Sequence, residues 1–354
     1  MQKADYLKLH ISVLLSGFTG IFAKLITLNE VVIVWYRMFF ALLLFSVMLL
    51  FMHKKPKDAD ALKICGLGVL LAIHLMFFFG SIKYSNVSIG VVCYSLVGFF
   101  TVLFEPLICK TKFSFVELFY SLIAVFGIWL IFNFDASFRF GIILGIISAA
   151  LFALYTLFNK VIEVGKSSRC MLFYELLGGT IFMSLFVPVY AHFVNIPAFL
   201  PIGIEWLWIF ILAFFCTVLL YLFHIGALKT ISAFTVSLTG NLEPIYGILF
   251  AIIFFGEAHD LTVSFYIGMT LIFLSVFLQS FSKNKKLPQW GSFFICKKKE
   301  INYAFGCSTL GCSACNCSNL AKAVAAVSWT FLSWSFLAIV NNVVKSCLYA
   351  GCWM

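Results

Sequence analysis

Apolar residues fall in ten long runs, at about 9–28, 31–52, 62–80, 87–108, 114–132, 140–162, 169–190, 205–226, 231–255 and 261–281, and short connectors between them carry most of the charge. Each run is close to the roughly 20 residues a helix needs to cross about 30 Å of hydrocarbon. The runs are apolar on every side, unlike the period-two alternation of a membrane barrel strand. The pattern predicts an all-α integral membrane protein with ten transmembrane helices, and the short connectors make neighbouring helices antiparallel.

Composition fits the same solvent. Of 354 residues, 63% are hydrophobic and 11% charged, against roughly 45–50% and about 25% in a soluble domain, so a water-soluble fold would lack the charges to cover itself. The net charge of +10 does not point to a nucleic-acid partner, because the basic residues sit in clusters between apolar runs. Fifteen of them, from Lys3 and Lys8 to Lys283, Lys285 and Lys286, occupy alternate connectors on one side. The other side has Lys83 and Arg139 with Glu30, Asp135, Glu205, Glu257 and Asp260. The positive-inside rule therefore places the N-terminus in the cytoplasm and the chain in a cell inner (plasma) membrane as a multi-pass protein. Lys3 and Lys8 precede a run too long for a signal core and without a small-residue cleavage site, so the first run is expected to be retained as a span.

Cysteine usage divides the chain. Cys65, Cys93, Cys109, Cys170 and Cys216 lie within apolar runs and read as small packing groups. Seven more crowd residues 283–354, a basic, Cys-rich C-terminal extension in which Ala323 to Val340 is long enough for one extra hydrophobic segment. The spacing of Cys307, Cys312, Cys315 and Cys317 matches no standard zinc site, so no metal or other cofactor is expected.

The chain also resembles itself. Gly80-Ser-Ile-Lys83 recurs as Gly226-Ala-Leu-Lys229, and Phe22-Ala-Lys24 as Phe158-Asn-Lys160, each pair joining runs five apart. Residues 1–135 and 136–282 thus read as a first and second five-helix repeat. Five is odd, so the copies insert in opposite orientations, an arrangement that puts a binding site near the midplane between the halves.

Gly17 to Lys24, Arg37 with Phe39-Phe40-Ala41, Gly80-Ser-Ile-Lys-Tyr-Ser85, Leu242-Glu243-Pro244, Phe255-Gly256-Glu257 and Tyr266-Ile267-Gly268 together resemble the EamA-like transporters of the drug/metabolite transporter superfamily, over roughly residues 7–281. The resemblance implies ten helices in two inverted repeats and the export of small organic metabolites such as amino acids. Two departures stand out: Val97 takes the place of a proline frequent in the family's first repeat, which puts a kink there in doubt, and nothing beyond about residue 290 looks like the family.

Glu243 is the leading site residue, since a carboxylate about a dozen residues from either end of the ninth run cannot reach water and is costly unless it faces a cavity or a partner. Pro244 removes a backbone donor at the same level, and Asn241 lies close by. Arg37 resembles the family's arginine, and Lys24 lies at similar depth. Either could bind an anionic group, or snorkel to the interface, or in the case of Arg37 pair with Glu30. Glu175 is a candidate partner for either base, its alternative being an interfacial carboxylate. His74 and His224 could pass protons or simply join helices by hydrogen bonds. Tyr155, with Tyr94 and Tyr221, is a candidate for lining the cavity. Trp35, Trp206 and Trp208 read as interfacial anchors, and Gly145, Ala149 and Ala153 as a close-packing stripe.

These residues predict a secondary transporter with Glu243 and Arg37 lining or gating its cavity, coupled to protons through Glu243, with a small-molecule metabolite and the bilayer as partners and a homodimer as an open arrangement. No Walker-type phosphate loop suggests drive by ATP. The rivals are a membrane-embedded lipid-processing enzyme, for which clustered catalytic groups are missing from the sequence, and a flippase for lipid-linked sugars.

Overall fold

A computed structural model describes residues 2–51, 60–109, 113–134, 136–162, 166–194, 196, 198–231, 233–240, 242–256 and 262–282. The C-terminal extension, Asn241, Glu257, Lys54, Lys55 and Lys57 lie outside the described residues.

All regular structure among the described residues is helical. The helices are α1 (Gln2–Leu25), α2 (Glu30–Phe51), α3 (Ala61–Lys83), α4 (Val87–Tyr94), α5 (Val97–Cys109), α6 (Phe115–Phe134), α7 (Arg139–Ile162), α8 (Ser168–Phe193), α9 (Glu205–Ala213), α10 (Leu220–Leu228), α11 (Ala233–Gly240), α12 (Glu243–Phe255) and α13 (Val263–Ser282). Eight helical stretches are long and apolar enough to cross a membrane, with α4–α5 and α9–α10 each counting as one, while α12 and α13 contribute shorter apolar stretches. The chain is a multi-pass membrane protein.

Local chemistry sets the helix ends. Asn29 Oδ1 accepts from Val31 N at 2.9 Å, and Asn86 Oδ1 from Ile89 N at 2.8 Å, so α2 and α4 begin with capped donors. Gly256, at φ 64°, ends α12 in the left-handed region that a side chain would resist. Two runs expected as continuous spans are broken. The fourth parts between Tyr94 and Val97, although Val97 brings no proline, and the ninth between Gly240 and Glu243. Pro244 therefore sits in the first turn of α12, where its missing N–H costs nothing, and it starts a helix instead of bending one. Hydroxyls add side-chain bonds to the backbone here: Ser95 Oγ donates to Val92 O at 2.6 Å, an oxygen that Ser95 N also reaches at 3.0 Å, and Thr101 Oγ1 donates to Val97 O at 2.8 Å. A π-helical stretch, Phe214–Leu219, joins α9 to α10.

Helix α3 packs against α7 and α8, α2 against α8 and α9, α1 against α10 and α12, α4 against α12, α5 against α7, and α6 against α13. Two crossings need glycine for closeness. A Cβ on Gly68 would lie 1.8 Å from Glu175 O, and one on Gly178 would lie 2.2 Å from Cys65 O, so α3 and α8 touch backbone to backbone. Gly127 and Gly268 stand in the same relation between α6 and α13, each 2.6 Å from the other's carbonyl oxygen. Such small-residue contacts replace the hydrophobic drive that lipid cannot supply. The stripe at Gly145, Ala149 and Ala153 does pack: both alanines are fully buried, and Gly145 faces Cys93 and Ser81. Trp35 departs from its expected interfacial place, being buried with Nε1 donating to Ser184 Oγ at 3.0 Å. Phe115, Phe119, Leu122, Phe126 and Trp129 recur at helical spacing along α6 and are all exposed, as a lipid-facing stripe would be.

Candidate functional site

Within the bundle α1, α2, α3, α4, α7, α10 and α12 line a small cavity with room for about one water molecule. Arg37 is its base, 1% exposed despite its charge. Its Nε donates to Thr217 Oγ1 at 2.7 Å, its Nη2 donates to Cys216 O, and its guanidinium lies 5.6 Å from the Phe79 ring centroid. Thr217 Oγ1 in turn donates to Leu212 O at 2.9 Å. Both acceptors, Thr217 Oγ1 and Cys216 O, lie in the π-helical stretch, a type of bulge often found at functional sites. The third guanidinium nitrogen, Nη1, is buried and has no hydrogen-bond partner. Arg37 makes none of these bonds with Glu30, whose carboxylate accepts from Tyr190 OH at 3.4 Å.

Glu243, 2% exposed, opens α12 at the break and lines the same cavity. It is within electrostatic reach of Arg37 without forming an ion pair with it. The cavity thus brings a guanidinium from α2 and a carboxyl group from α12 together, with Ser16 and Thr19 of α1 beside them and aromatic walls from Phe78, Tyr94 and Phe152. His74 also borders it, its Nδ1 held 3.0 Å from both Ser148 O and Ser148 Oγ. A second small cavity lies toward the end of the bundle where α1 begins, and Glu243, Ser16 and Tyr94 are among the residues that border both.

Other candidate residues lie elsewhere. Glu175 is fully buried on α8 and accepts from Tyr155 OH at 2.9 Å and Asn159 Nδ2 at 2.8 Å. The structure gives it no hydrogen bond or ion pair with Arg37 or Lys24. Tyr155 accordingly serves Glu175 and lines neither of the two cavities. Lys24 is exposed, with Nζ 4.6 Å from the Phe255 ring centroid at the far end of α12. Asn241 is outside the described residues. The site also contains residues that sequence reading passed over. Ser12, Ser16 and Thr19 form a polar stripe at helical spacing on α1, a signal present in the sequence. Thr217 gave none, since its partner is 180 residues away. Among the described residues no group of His, Cys, Asp and Glu could hold a metal ion.

Polar ties close both ends of the bundle. Where α1 begins, Thr230 Oγ1 donates to Asp5 at 3.0 Å, Lys166 and Lys63 reach Asp60 at 2.9 and 3.2 Å, and Lys160 donates to Leu228 O. The bond from Lys166 holds the Asp60 carboxyl below the usual aspartate range, against a smaller opposing effect of burial. At the other end Glu205 accepts from Thr27 N at 2.6 Å and Thr27 Oγ1 at 2.7 Å, and Lys83 donates to Ile26 O.

The model of the EamA-like transporter family matches residues 5–133 and 139–281. The chain belongs to the EamA-like transporter family. An uncharacterized transporter from Clostridium kluyveri is 26% identical over 247 residues, which span 65% of this chain and 74% of that protein. A solved crystal structure, 16% identical, covers 81% of this chain and all of its own with a TM-score of 0.60, and at that identity it speaks for the fold alone. As a member of this family the chain is a membrane transporter by descent.

Proposed function

We propose that this EamA-like protein is a ten-helix secondary transporter of small zwitterionic metabolites, amino acids above all. It would work by alternating access between two inverted repeats, residues 1–135 and 136–282. The observation that carries the substrate reading is the pairing of two opposite charges in one buried cavity. The free Nη1 of Arg37 suits a carboxylate and Glu243 suits an ammonium group. A buried guanidinium with an unmade bond is costly in lipid, and an anionic ligand would offset that cost.

Three features support the duplication. The two family matches meet near residue 136. In each half the fourth run is broken, α4 from α5 in the first and α11 from α12 in the second. The packing also has a mirror. With α1, α2, α3, α4–α5 and α6 matched in order to α7, α8, α9–α10, α11–α12 and α13, the contact of α3 with α7 answers that of α10 with α1. In the same way α3 with α8 answers α9 with α2, and α5 with α7 answers α12 with α1. The polar ties at the two ends are then gates, released in turn. The fifteen basic residues on one side favour a cytoplasmic N-terminus in a plasma membrane.

Export coupled to protons through Glu243 is the direction the family resemblance favours. Counterflow in proteoliposomes across amino acids, nucleosides, sugar phosphates and lipids tests the class: exchange of amino acids alone is expected, and exchange of lipids or nucleosides without amino acids would overturn it. Glu243→Gln is expected to abolish the pH dependence of transport, and an unchanged pH profile would remove proton coupling through this residue.

A further inference from the structure

The second cavity is a distinct chemical environment. It lies beyond Glu243 toward the end where α1 begins, and its polar lining consists of Ser12, Ser16, Ser237, His224 and the shared Glu243 and Tyr94. Leu9, Val13, Val97 and Val236 supply much of the rest. Glu243 is the one carboxylate or basic side chain, histidine aside, among the described residues that line it.

His224 gives this cavity its direction. The residue is 7% exposed, and its Nε2 is buried without a hydrogen-bond partner. Its ring is packed against those of Phe152 and Tyr155, with centroids 5.4 and 6.4 Å away. Ser237 is fixed in turn by Thr101, the two hydroxyl oxygens 3.0 Å apart. The cavity therefore combines a positioned imidazole with an unmade bond, hydroxyls that can give or take a hydrogen, and apolar walls. A charged group entering here would lose its water with no countercharge beyond Glu243, whereas an uncharged hydrogen-bonding group would find partners.

We infer that the second cavity is the side-chain subsite of the transported amino acid, and that it selects side chains ending in an uncharged amide or hydroxyl through a hydrogen bond to His224 Nε2. The inference rests on the zwitterion reading of the Arg37 and Glu243 cavity. The ligand's carboxylate and ammonium groups lie between those two residues, and its side chain passes Ser16 and Tyr94, which border both spaces. His224 is then a specificity residue that leaves the common part of every amino acid untouched.

The test is equilibrium binding of L-alanine, L-glutamine and L-norleucine to the full chain in lipid nanodiscs, for the native protein and for His224→Leu. Norleucine has nearly the length of glutamine but no polar end. The native protein is expected to prefer glutamine to norleucine by about tenfold or more, the cost of leaving a buried hydrogen-bonding group unpaired. His224→Leu is expected to shrink that preference below about threefold while alanine binds within about twofold of native affinity. If alanine binds but glutamine holds no advantage over norleucine in the native protein, the subsite is wrong and the zwitterion reading stands. A preference that survives His224→Leu also overturns the role of His224. If none of the three binds, both readings fall together. The native preference decides the matter even if the variant does not fold.

Discussion

Arg37 and Glu175 are the eighth residues of α2 and α8, helices that correspond under the proposed duplication, and both are buried in the membrane. Their surroundings differ. Glu175 is enclosed: Tyr155 and Asn159 donate to its two oxygens, and Gly68 presses against its backbone carbonyl. Arg37 has only two of its three nitrogens engaged and borders a cavity. One half thus uses its buried charge to hold helices together, and the other half leaves part of its charge unsatisfied. The contrast at the broken spans runs the other way, for Glu243 heads α12 where Val97 heads α5. Structural and ligand-binding roles are distinguished less by residue type than by whether the protein itself completes the hydrogen bonds.

The contrast can be broken most violently at Gly68. Gly68→Leu places a side chain where even a Cβ would sit 1.8 Å from a backbone oxygen, so α3 and α8 must separate. No monodisperse protein is expected by size-exclusion chromatography, while Gly66→Leu, with nothing within 4 Å, should be recovered normally. Next in size is Arg37→Gln, expected to weaken amino-acid binding by about tenfold to a hundredfold while keeping the fold, as measured by titration in nanodiscs. Glu175→Leu should act in the opposite way. It strands the Tyr155 hydroxyl and the Asn159 amide, worth together about 1–2 kcal/mol in a membrane interior, and lowers the melting temperature by a few degrees while binding persists.

The smallest effect concerns the tie at Asp60. Its carboxyl is held below the ordinary aspartate value of 3.8, so it contributes stability that is fully present above that pH and is lost as the pH falls through the lowered value. Because the Asp60 side chain is 40% exposed, solvent screens the pair and the contribution is about 0.2–1 kcal/mol. Thermal melts at pH 3 and pH 6 should therefore differ slightly less for Asp60→Asn than for the native chain.

Much of the fold was legible because lipid imposes one rule on every span, and ten apolar runs of similar length announce it. Glu243 and Arg37 were legible for the same reason, since charge in hydrocarbon needs an explanation. The breaks after Tyr94 and Gly240 were not, because Val97 brings no proline to mark the first, and Pro244 fits a bend in a continuous helix as well as the first turn of a new one. The π-helical stretch was equally hidden, as the bond that rewards it comes from Arg37 on a distant helix. Lys24 shows the limit of reading depth from run length: at its level the long side chain reaches the bundle surface and the ring of Phe255. Tyr155 shows the limit of reading residue type, for its hydroxyl completes Glu175 instead of facing a ligand.

The most direct test of the account compares Arg37→Gln with Glu175→Gln in one experiment, measuring the affinity for a labelled amino acid and the melting temperature of each in nanodiscs. Loss of affinity confined to Arg37→Gln, with the drop in melting temperature greater for Glu175→Gln, is the predicted result. Native affinity in Arg37→Gln together with lost affinity in Glu175→Gln would contradict it, and would move the binding site to the other half of the protein.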